Sequence, residues 1–307
     1  MTATRAIGVD WGTTTFRAFR FDEHGTVLEA RRAEAGIRAI DDGDFEGALE
    51  HLVGDWLDAA DASPVVLSGM IGSRQGWIEA PYLPCPADLG DLADALVPLD
   101  LGRGRRVHVA PGLSCHDAGG VPDVMRGEEV QILGTIDCLG AGSATLCLPG
   151  THSKWAWVEG RRVTGFATYM TGEVFDVLRR HTILGTTIEH AAWDQAAFGD
   201  GVARAAEAEG GGLLHQLFGV RASGLFGELS PETSGAFLSG LIIGHELRAA
   251  LAGHRGGPVH LIGEEGLVRL YRAALAHFKI EAIEGPSDAA ARGLGVLTAY
   301  LRERSIA

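Results

Sequence analysis

The sequence predicts an α/β protein built as two similar lobes that face each other across a cleft. Two observations predict it. A buried strand at 6–9 runs into the turn Asp10-Trp11-Gly12-Thr13-Thr14 and on into a β-hairpin. The same order returns after residue 144, where a buried strand reaches Pro149-Gly150-Thr151 and a second hairpin follows. Duplication of one strand-turn-hairpin unit, with helices to cover each sheet, gives two α/β lobes, 1–140 and 141–307. The two halves share a pattern rather than identical residues.

Residues 15–21 alternate in strand fashion, with Arg17 and Arg20 set among Phe16, Ala18 and Phe19. Asp22-Glu23-His24-Gly25 is a hairpin turn, and 26–32 the next strand. Phe45, Leu49, Leu52, Val53 and Trp56 at i/i+3/i+4 spacing mark an amphipathic helix over 44–60. Pro64-Val65-Val66-Leu67-Ser68 is a buried strand that ends in Gly69-Met70-Ile71-Gly72-Ser73. Residues 81–104, rich in Pro, Asp and Leu, read as a loop-rich connection before a strand at 106–110. Residues 128–138 form a helix with Val130, Leu133 and Ile136 inward. The strand at 144–148 precedes a hairpin of 154–158 with 162–168, closed by Glu159-Gly160. Beyond Thr171 the chain is mostly helical, including 174–180, 191–208 and 232–251. A strand-turn-helix unit over 258–278 and a helix from Ser287 complete it.

A chain of 307 residues is long enough for about two domains. With 46% hydrophobic and 21% charged residues it has an ordinary globular balance, so extended disorder is not expected. The net charge of −14, with no Lys/Arg run, argues against a nucleic-acid or anionic-membrane surface, which needs a concentrated basic face. An anionic substrate must then be met by a few local basic groups. Cys85, Cys115, Cys138 and Cys147 form no C-x-x-C pair and read as reduced thiols. Residues 1–6 lack the apolar core of a signal peptide. The most apolar stretch, 236–252, is broken by His245, Glu246 and Arg248, too polar and too short for a membrane span. The expected compartment is the cytoplasm.

The first turn places a carboxylate at a strand end, then a glycine and hydroxyls. That set suits a metal-bound polyphosphate. Gly12 lets the backbone approach, the N–H groups and hydroxyls of Thr13 and Thr14 can donate to phosphate oxygens, and Asp10 can hold Mg²⁺ directly or through water. A solvent-facing hairpin would use the same residues. The second turn, Leu148-Pro149-Gly150-Thr151-His152-Ser153-Lys154-Trp155, again offers a glycine and hydroxyls, Gly150 and Thr151 among them. His152 and Lys154 add positive charge that the acidic chain otherwise lacks. Two such turns are what two lobes clamping one nucleotide would need. In Leu261-Ile262-Gly263-Glu264-Glu265-Gly266-Leu267 a strand passes through Gly263 into a helix. N–H groups at that helix start could contact adenosine or the α-phosphate, or simply connect strand to helix with an acidic first turn.

Six segments carry a resemblance over nearly the whole chain: Asp10-Trp11-Gly12-Thr13-Thr14, Ser68-Gly69-Met70-Ile71-Gly72-Ser73, Ala80-Pro81-Tyr82-Leu83, Val124-Met125-Arg126-Gly127-Glu128-Glu129, Pro149-Gly150-Thr151-His152-Ser153-Lys154-Trp155 and Met170-Thr171-Gly172-Glu173. In this order and spacing the chain resembles the 2-dehydro-3-deoxygalactonokinase family, bacterial sugar-acid kinases of the actin/hexokinase superfamily. The resemblance implies a two-lobed actin-like ATPase (ribonuclease H-like) fold with an interlobe cleft. It implies transfer of the ATP γ-phosphate, with Mg²⁺, to the terminal hydroxyl of 2-dehydro-3-deoxy-D-galactonate. The first lobe would carry the first phosphate turn and the sugar-acid site, the second lobe the second phosphate turn and the adenosine site. Gly263-Glu264-Glu265 departs from the expected small or hydroxyl residues after the glycine, which touches the adenosine contacts and not the phosphate turns.

Phosphoryl transfer to an alcohol needs in-line positioning, charge neutralisation and a carboxylate to accept the hydroxyl proton. In the superfamily that carboxylate comes from the helix before the second phosphate turn, here Arg126-Gly127-Glu128-Glu129-Val130-Gln131. The segment also resembles the Gly-x-Glu-Glu stretch of exopolyphosphatase relatives, whose second Glu is the base, and this favours Glu129 over Glu128. A Glu pair at a helix start also simply satisfies the helix dipole. Arg126 suits the substrate carboxylate, because a guanidinium binds a carboxylate through two parallel hydrogen bonds; Arg74 and Arg17 compete for that role. Ser73, Trp77 and Tyr82 offer hydroxyl and aromatic surface for a polyol chain. Glu173 contacts a sugar hydroxyl or caps its helix. Trp11 and Trp155 shield the cleft or are plain core. Two further readings remain: an exopolyphosphatase-like phosphohydrolase, and a non-catalytic actin-like ATP-binding protein. A homodimer is compatible with a small metabolic kinase.

Overall fold

The computed structural model describes residues 4–59, 63–140, 142–188, 193–207, 211–254 and 256–306. The opening follows the sequence pattern. β1 (Ala6–Trp11) pairs antiparallel with β2 (Phe16–Phe21), and β2 with β3 (Val27–Ala33). Phe16, Ala18 and Phe21 are the buried residues of β2, Phe19 is partly covered, and the pairing of β2 with β3 slips between Arg20 and Phe21. α1 (Phe45–Ala59) turns Phe45, Leu49, Val53, Trp56 and Leu57 inward. Its expected end at residue 60 lies outside the described residues. β4 (Val65–Ser68), buried throughout, runs parallel to β1.

Residues 81–104 are not the loop their composition suggests. They hold β5 (Tyr82–Pro84), α2 (Leu89–Asp94) and β6 (Val97–Asp100). Asp88 starts α2 by accepting the N–H groups of Gly90 and Asp91 while the Asp91 side chain accepts the Asp88 N–H. Such a reciprocal cap satisfies donors that a helix start otherwise leaves unpaired. β6 is an edge strand, antiparallel to β7 (Arg106–Val109), which lies parallel to β4. β5, β8 (Gly112–His116) and β9 (Pro122–Met125) form a small separate sheet. α3 (Glu128–Leu133) ends at Gly134, and Ile136–Cys138 is a separate 3₁₀ turn rather than the same helix continued.

The second half opens with β10 (Ser143–Leu148), β11 (Ser153–Glu159) and β12 (Arg162–Tyr169). α4 (Thr171–His181), α5 (Gln195–Ala206), α6 (Leu213–Leu225) and α7 (Pro231–Ala250) follow. Asp194 caps α5 by accepting the Ala197 N–H, so the helix begins later than the expected 191; residues 191, 192 and 208 lie outside those described. β13 (Val259–Leu261), α8 (Glu265–His277), β14 (Ala282–Glu284) and α9 (Ala289–Ile306) complete the order.

The large sheets run β3-β2-β1-β4-β7-β6 and β12-β11-β10-β13-β14. In each, a hairpin flanks the founding strand on one side and parallel strands continue on the other, β1 with β4 and β7, β10 with β13 and β14. The duplication visible in the sequence is therefore one of topology.

The chain divides into two compact units that interleave along the sequence. The first runs to Ser143 and takes in Trp157–Phe166 and the segment from Asp288; the second is Ala144–Ala156 with Ala167–Ser287. In the first unit Trp11, Phe16, Phe45, Leu49, Trp56, Leu67 and Ile71 sit in one core. α9 joins this unit because it crosses α3 backbone to backbone. A Cβ on Gly134 would lie 2.0 Å from the Ala289 carbonyl oxygen, and one on Gly293 1.9 Å from that of Val130. In the second unit Trp155, Phe198, Leu247, Val259 and Tyr271 share a core. All four cysteines are free thiols. Among the described residues no helix is long and apolar enough to cross a membrane.

Candidate active site

In the first unit three segment ends converge. Asp10, near the end of β1, lies between Arg17 on β2 and Ser68 on β4 by register. Its carboxylate is ion-paired with the Arg17 guanidinium. Gly69 follows β4 so closely that a Cβ there would sit 3.1 Å from Asp10 Oδ1, and a Cβ on Gly127, just before α3, would sit 3.2 Å from Gly69 Cα. The strand ends at 10 and 68–69 and the start of α3 thus share one place.

The turn after β1 is held from behind. The Gly36, Ile37 and Arg38 N–H groups donate to the carbonyls of Thr14, Gly12 and Thr13 at 3.1, 3.0 and 3.3 Å. An anion-binding turn must show its N–H groups, not its carbonyls, to the anion. Tying three carbonyls into a second segment removes those unfavourable dipoles. Only a glycine fits at 36, since a Cβ would lie 2.3 Å from the Thr14 nitrogen. Trp11 is core rather than shield: it is fully buried, edge-on to Phe16 and Phe45, with its indole N–H on the Ala35 carbonyl.

The carboxylates at the start of α3 differ sharply. Glu128, half-buried, accepts the Arg126 N–H at 3.1 Å. Glu129 is 1% exposed; Oε2 accepts the Gly127 N–H at 2.6 Å, while Oε1 is buried without a hydrogen-bond partner. Burial, reinforced by the Glu128 charge, pushes the Glu129 carboxyl up to about 8. Consecutive residues on a 3.6-residue helix point in different directions, which is why one Glu reaches the interior and its neighbour does not.

Arg126 lies under Tyr82, its guanidinium carbon 4.2 Å from the ring centre. Nη2 donates to the Ala80 carbonyl at 2.7 Å, whereas Nη1 is buried without a partner. Buried polar groups in native folds are almost always satisfied, and a charged one left open is expensive. Among the described residues, two of the buried side-chain atoms without a hydrogen-bond partner, Arg126 Nη1 and Glu129 Oε1, thus lie on the single segment 126–129.

The other expected substrate residues divide. Tyr82 is gathered with Arg126. Ser73 spends its hydroxyl on the Met70 carbonyl at 2.7 Å, and Trp77 stacks on Phe45 against the core. Arg74 is not gathered: its side chain is 85% exposed and paired with Glu79. Arg17 is committed to Asp10. Glu173 belongs to the second unit, where it pairs with His152.

In the second unit the turn between β10 and β11 is backed in the same manner as the first. The Glu173 N–H donates to the Thr151 carbonyl at 3.0 Å, and a Cβ on Gly172 would lie 2.6 Å from the Gly150 carbonyl oxygen. Lys154 is buried on β11. Gly263 approaches Pro149, its would-be Cβ 3.5 Å from the carbonyl oxygen. The start of α8 is less open than the sequence suggests. Glu264 caps it, accepting the Gly266 and Leu267 N–H groups at 2.9 and 3.1 Å, and these bonds hold its carboxyl below the usual range. Two N–H groups expected to meet a nucleotide are thus already occupied.

Sequence alone assigns no role to Gly36, Gly172 or Glu246. Glu246 is 3% exposed and accepts hydrogen bonds from Trp155, Tyr271 and Thr171, which makes Trp155 an anchored core residue. Its signal was present as a carboxylate interrupting the most apolar stretch of the chain.

The family profile of 2-keto-3-deoxy-galactonokinases matches residues 10–297. The chain belongs to this family. A probable 2-dehydro-3-deoxygalactonokinase of Rhizobium meliloti (strain 1021) is 42% identical over 282 residues, 89% of this chain and 90% of that one. The 2-dehydro-3-deoxygalactonokinase of Escherichia coli (strain K12) is 36% identical over 248 residues, 80% of each. The crystal structure of a candidate 2-dehydro-3-deoxygalactonokinase from Sinorhizobium meliloti superposes with a TM-score of 0.85 at 37% identity, covering 98% of this chain and 99% of its own. The fold extends further. An activator of 2-hydroxyisocaproyl-CoA dehydratase from Clostridium difficile, solved with bound ADPNP, reaches a TM-score of 0.51 at 13% identity, with 98% and 96% covered. The actin-like fold class implied by the sequence segments stands, and family membership favours a kinase over the phosphohydrolase and the non-catalytic ATP-binding protein.

Proposed function

We propose that this member of the 2-keto-3-deoxy-galactonokinase family transfers the γ-phosphoryl group of ATP to the terminal 6-hydroxyl of 2-dehydro-3-deoxy-D-galactonate, in galactonate catabolism in the cytoplasm. The observation that carries the reading is the 126–129 segment, with its unpartnered Arg126 Nη1 and Glu129 Oε1. A sugar acid supplies the matching groups, a carboxylate for the guanidinium and a hydroxyl whose proton Oε1 can take. Arg126 binds and orients the substrate carboxylate, with the Tyr82 ring stacked on its guanidinium. Glu129 accepts the hydroxyl proton as the new O–P bond forms and the bond to ADP breaks. A base works best with an acidity near the working pH, and burial has moved Glu129 toward it.

The turns at Gly12, Thr13 and Thr14 and at Gly150, Thr151, His152 and Lys154 offer N–H groups, hydroxyls and side-chain nitrogens to phosphate oxygens, the Gly12 N–H itself being spent on the Thr15 carbonyl at 2.8 Å. Gly263 contributes to the nucleotide site through its approach to Pro149. Among the described residues no three His, Cys, Asp or Glu side chains form a ready metal cage. Mg²⁺ is ordinarily held by one or two carboxylates together with substrate phosphates, and Asp10 fits that role. When bound, the ion would neutralise phosphate charge; Asp10 would have to exchange its Arg17 partner for it.

A coupled ADP-release assay over a panel of 2-dehydro-3-deoxy sugar acids tests the reading. Turnover should require a sugar acid and be fastest with the galactonate-derived one. Full ATP hydrolysis without any sugar acid would sink the kinase reading in favour of water as acceptor.

A further inference from the structure

The second unit contains a buried carboxylate for which the proposed chemistry has no use. Glu246 sits inside α7, with one oxygen accepting from the Trp155 indole N–H at 2.7 Å and the other from the Thr171 and Tyr271 hydroxyls, Tyr271 at 2.7 Å. The Tyr271 hydroxyl donates a hydrogen bond to Glu246 and shares a second with the Ser153 hydroxyl, 2.8 Å away. Burial pushes the Glu246 carboxyl up, and the bonds from Thr171, Tyr271 and Trp155 pull it back down. A buried carboxylate in the core of a helix is expensive, and packed apolar residues would usually be at least as stable. Its partners explain why it is there.

Ser153 and Trp155 bracket Lys154 on β11. Side chains alternate across a strand, so fixing 153 and 155 on one face obliges Lys154 to take the other. Thr171 is the first residue of α4, and the next residue, Gly172, packs against Gly150 and Thr151. The network thereby holds the turn from both sides, through β11 behind it and through the start of α4 against it. We infer that Glu246 is a positioning residue for nucleotide binding: it sets the 150–154 turn and the direction of Lys154 without touching the ligand. This inference rests on the reading of that turn as a phosphate site.

Glu246→Gln keeps the volume but cannot accept all three bonds, because one amide face is a donor. The expected result is a rise in KM for ATP of about 10- to 100-fold, the size of one lost hydrogen bond to a charged group, with the KM for the sugar acid unchanged. Lys154→Ala, measured alongside, tests the site reading by itself: an unchanged ATP KM there removes the turn from nucleotide binding. Where Lys154→Ala does raise the ATP KM, the double variant decides the matter. Positioning through Lys154 predicts that the two effects fail to add, because the second change finds the interaction already lost. Additive effects, or equal rises in both KM values with a lowered Tm, would reduce Glu246 to a structural residue and overturn the inference. If Glu246→Gln does not fold, Thr171→Val and Tyr271→Phe each remove one bond. A selective rise in ATP KM in these supports the inference, and an unchanged ATP KM in both refutes it.

Discussion

Replacing Glu129 by Gln should produce an enzyme that is nearly inactive and, at alkaline pH, more stable than its parent. The carboxyl is held up at about 8 in the folded chain against an ordinary 4.5, chiefly by burial. Between those two values the folded protein keeps a proton that the unfolded chain has released. Its stability therefore falls as pH rises through that window and the loss is complete above about 8. At about 1.4 kcal/mol for each tenfold change in acidity, the upper size of the effect is roughly 5 kcal/mol. The amide of the Glu129→Gln variant has no proton to lose in this range, so the variant's stability should be flat where the parent's declines. Chemical denaturation at pH 5, 7 and 9 measures this. The same substitution should lower kcat by about 10²- to 10⁴-fold, the usual worth of a positioned base, with ATP still bound. The parent's kcat/KM should rise with pH through a limb near 8 that the variant lacks. Near-normal turnover in Glu129→Gln, or parallel stability curves for the two proteins, would refute the argument.

Arg126→Lys should raise the KM for the sugar acid by about 10- to 100-fold, because a point charge cannot make the paired bonds of a guanidinium, and leave the KM for ATP alone; steady-state kinetics in both substrates separates the two. Arg74→Ala should change neither KM, since that side chain is exposed and held by Glu79; a large effect on the sugar-acid KM would restore it to the site. Gly36→Ala forces a methyl into the Thr13–Thr14 backbone and should cost about 1–3 kcal/mol or more, read as a lower Tm together with weaker ATP binding by calorimetry.

How much of this could be read in advance depended on the range of the interactions. The opening hairpin and β4 are written locally, in alternation and turn residues, and appear as expected. The region 81–104 was hidden because its order comes from a reciprocal cap at Asp88 and from pairing with β7, neither of which composition reports. The turn residues Gly12 to Thr14 were visible, but Gly36, which gives them their shape, was not, since its role is a contact with a segment more than twenty positions earlier. The contrast between Glu128 and Glu129 lies in which of two neighbours the helix turns inward; the family resemblance points to Glu129, and burial supplies the physical difference. Glu246 shows in the sequence only as a polar interruption of an apolar stretch, because its partners Trp155, Thr171 and Tyr271 are remote in sequence and adjacent in space.

The crossing of α3 and α9 also bears on how the protein is made. The helix carrying Glu129 leans on a helix that the ribosome adds only after the whole second unit. A chain that ends before residue 289 lacks the backing for its proposed base and should lack competence for phosphoryl transfer. Synthesis thus delivers every residue of the second unit before the last helix of the first.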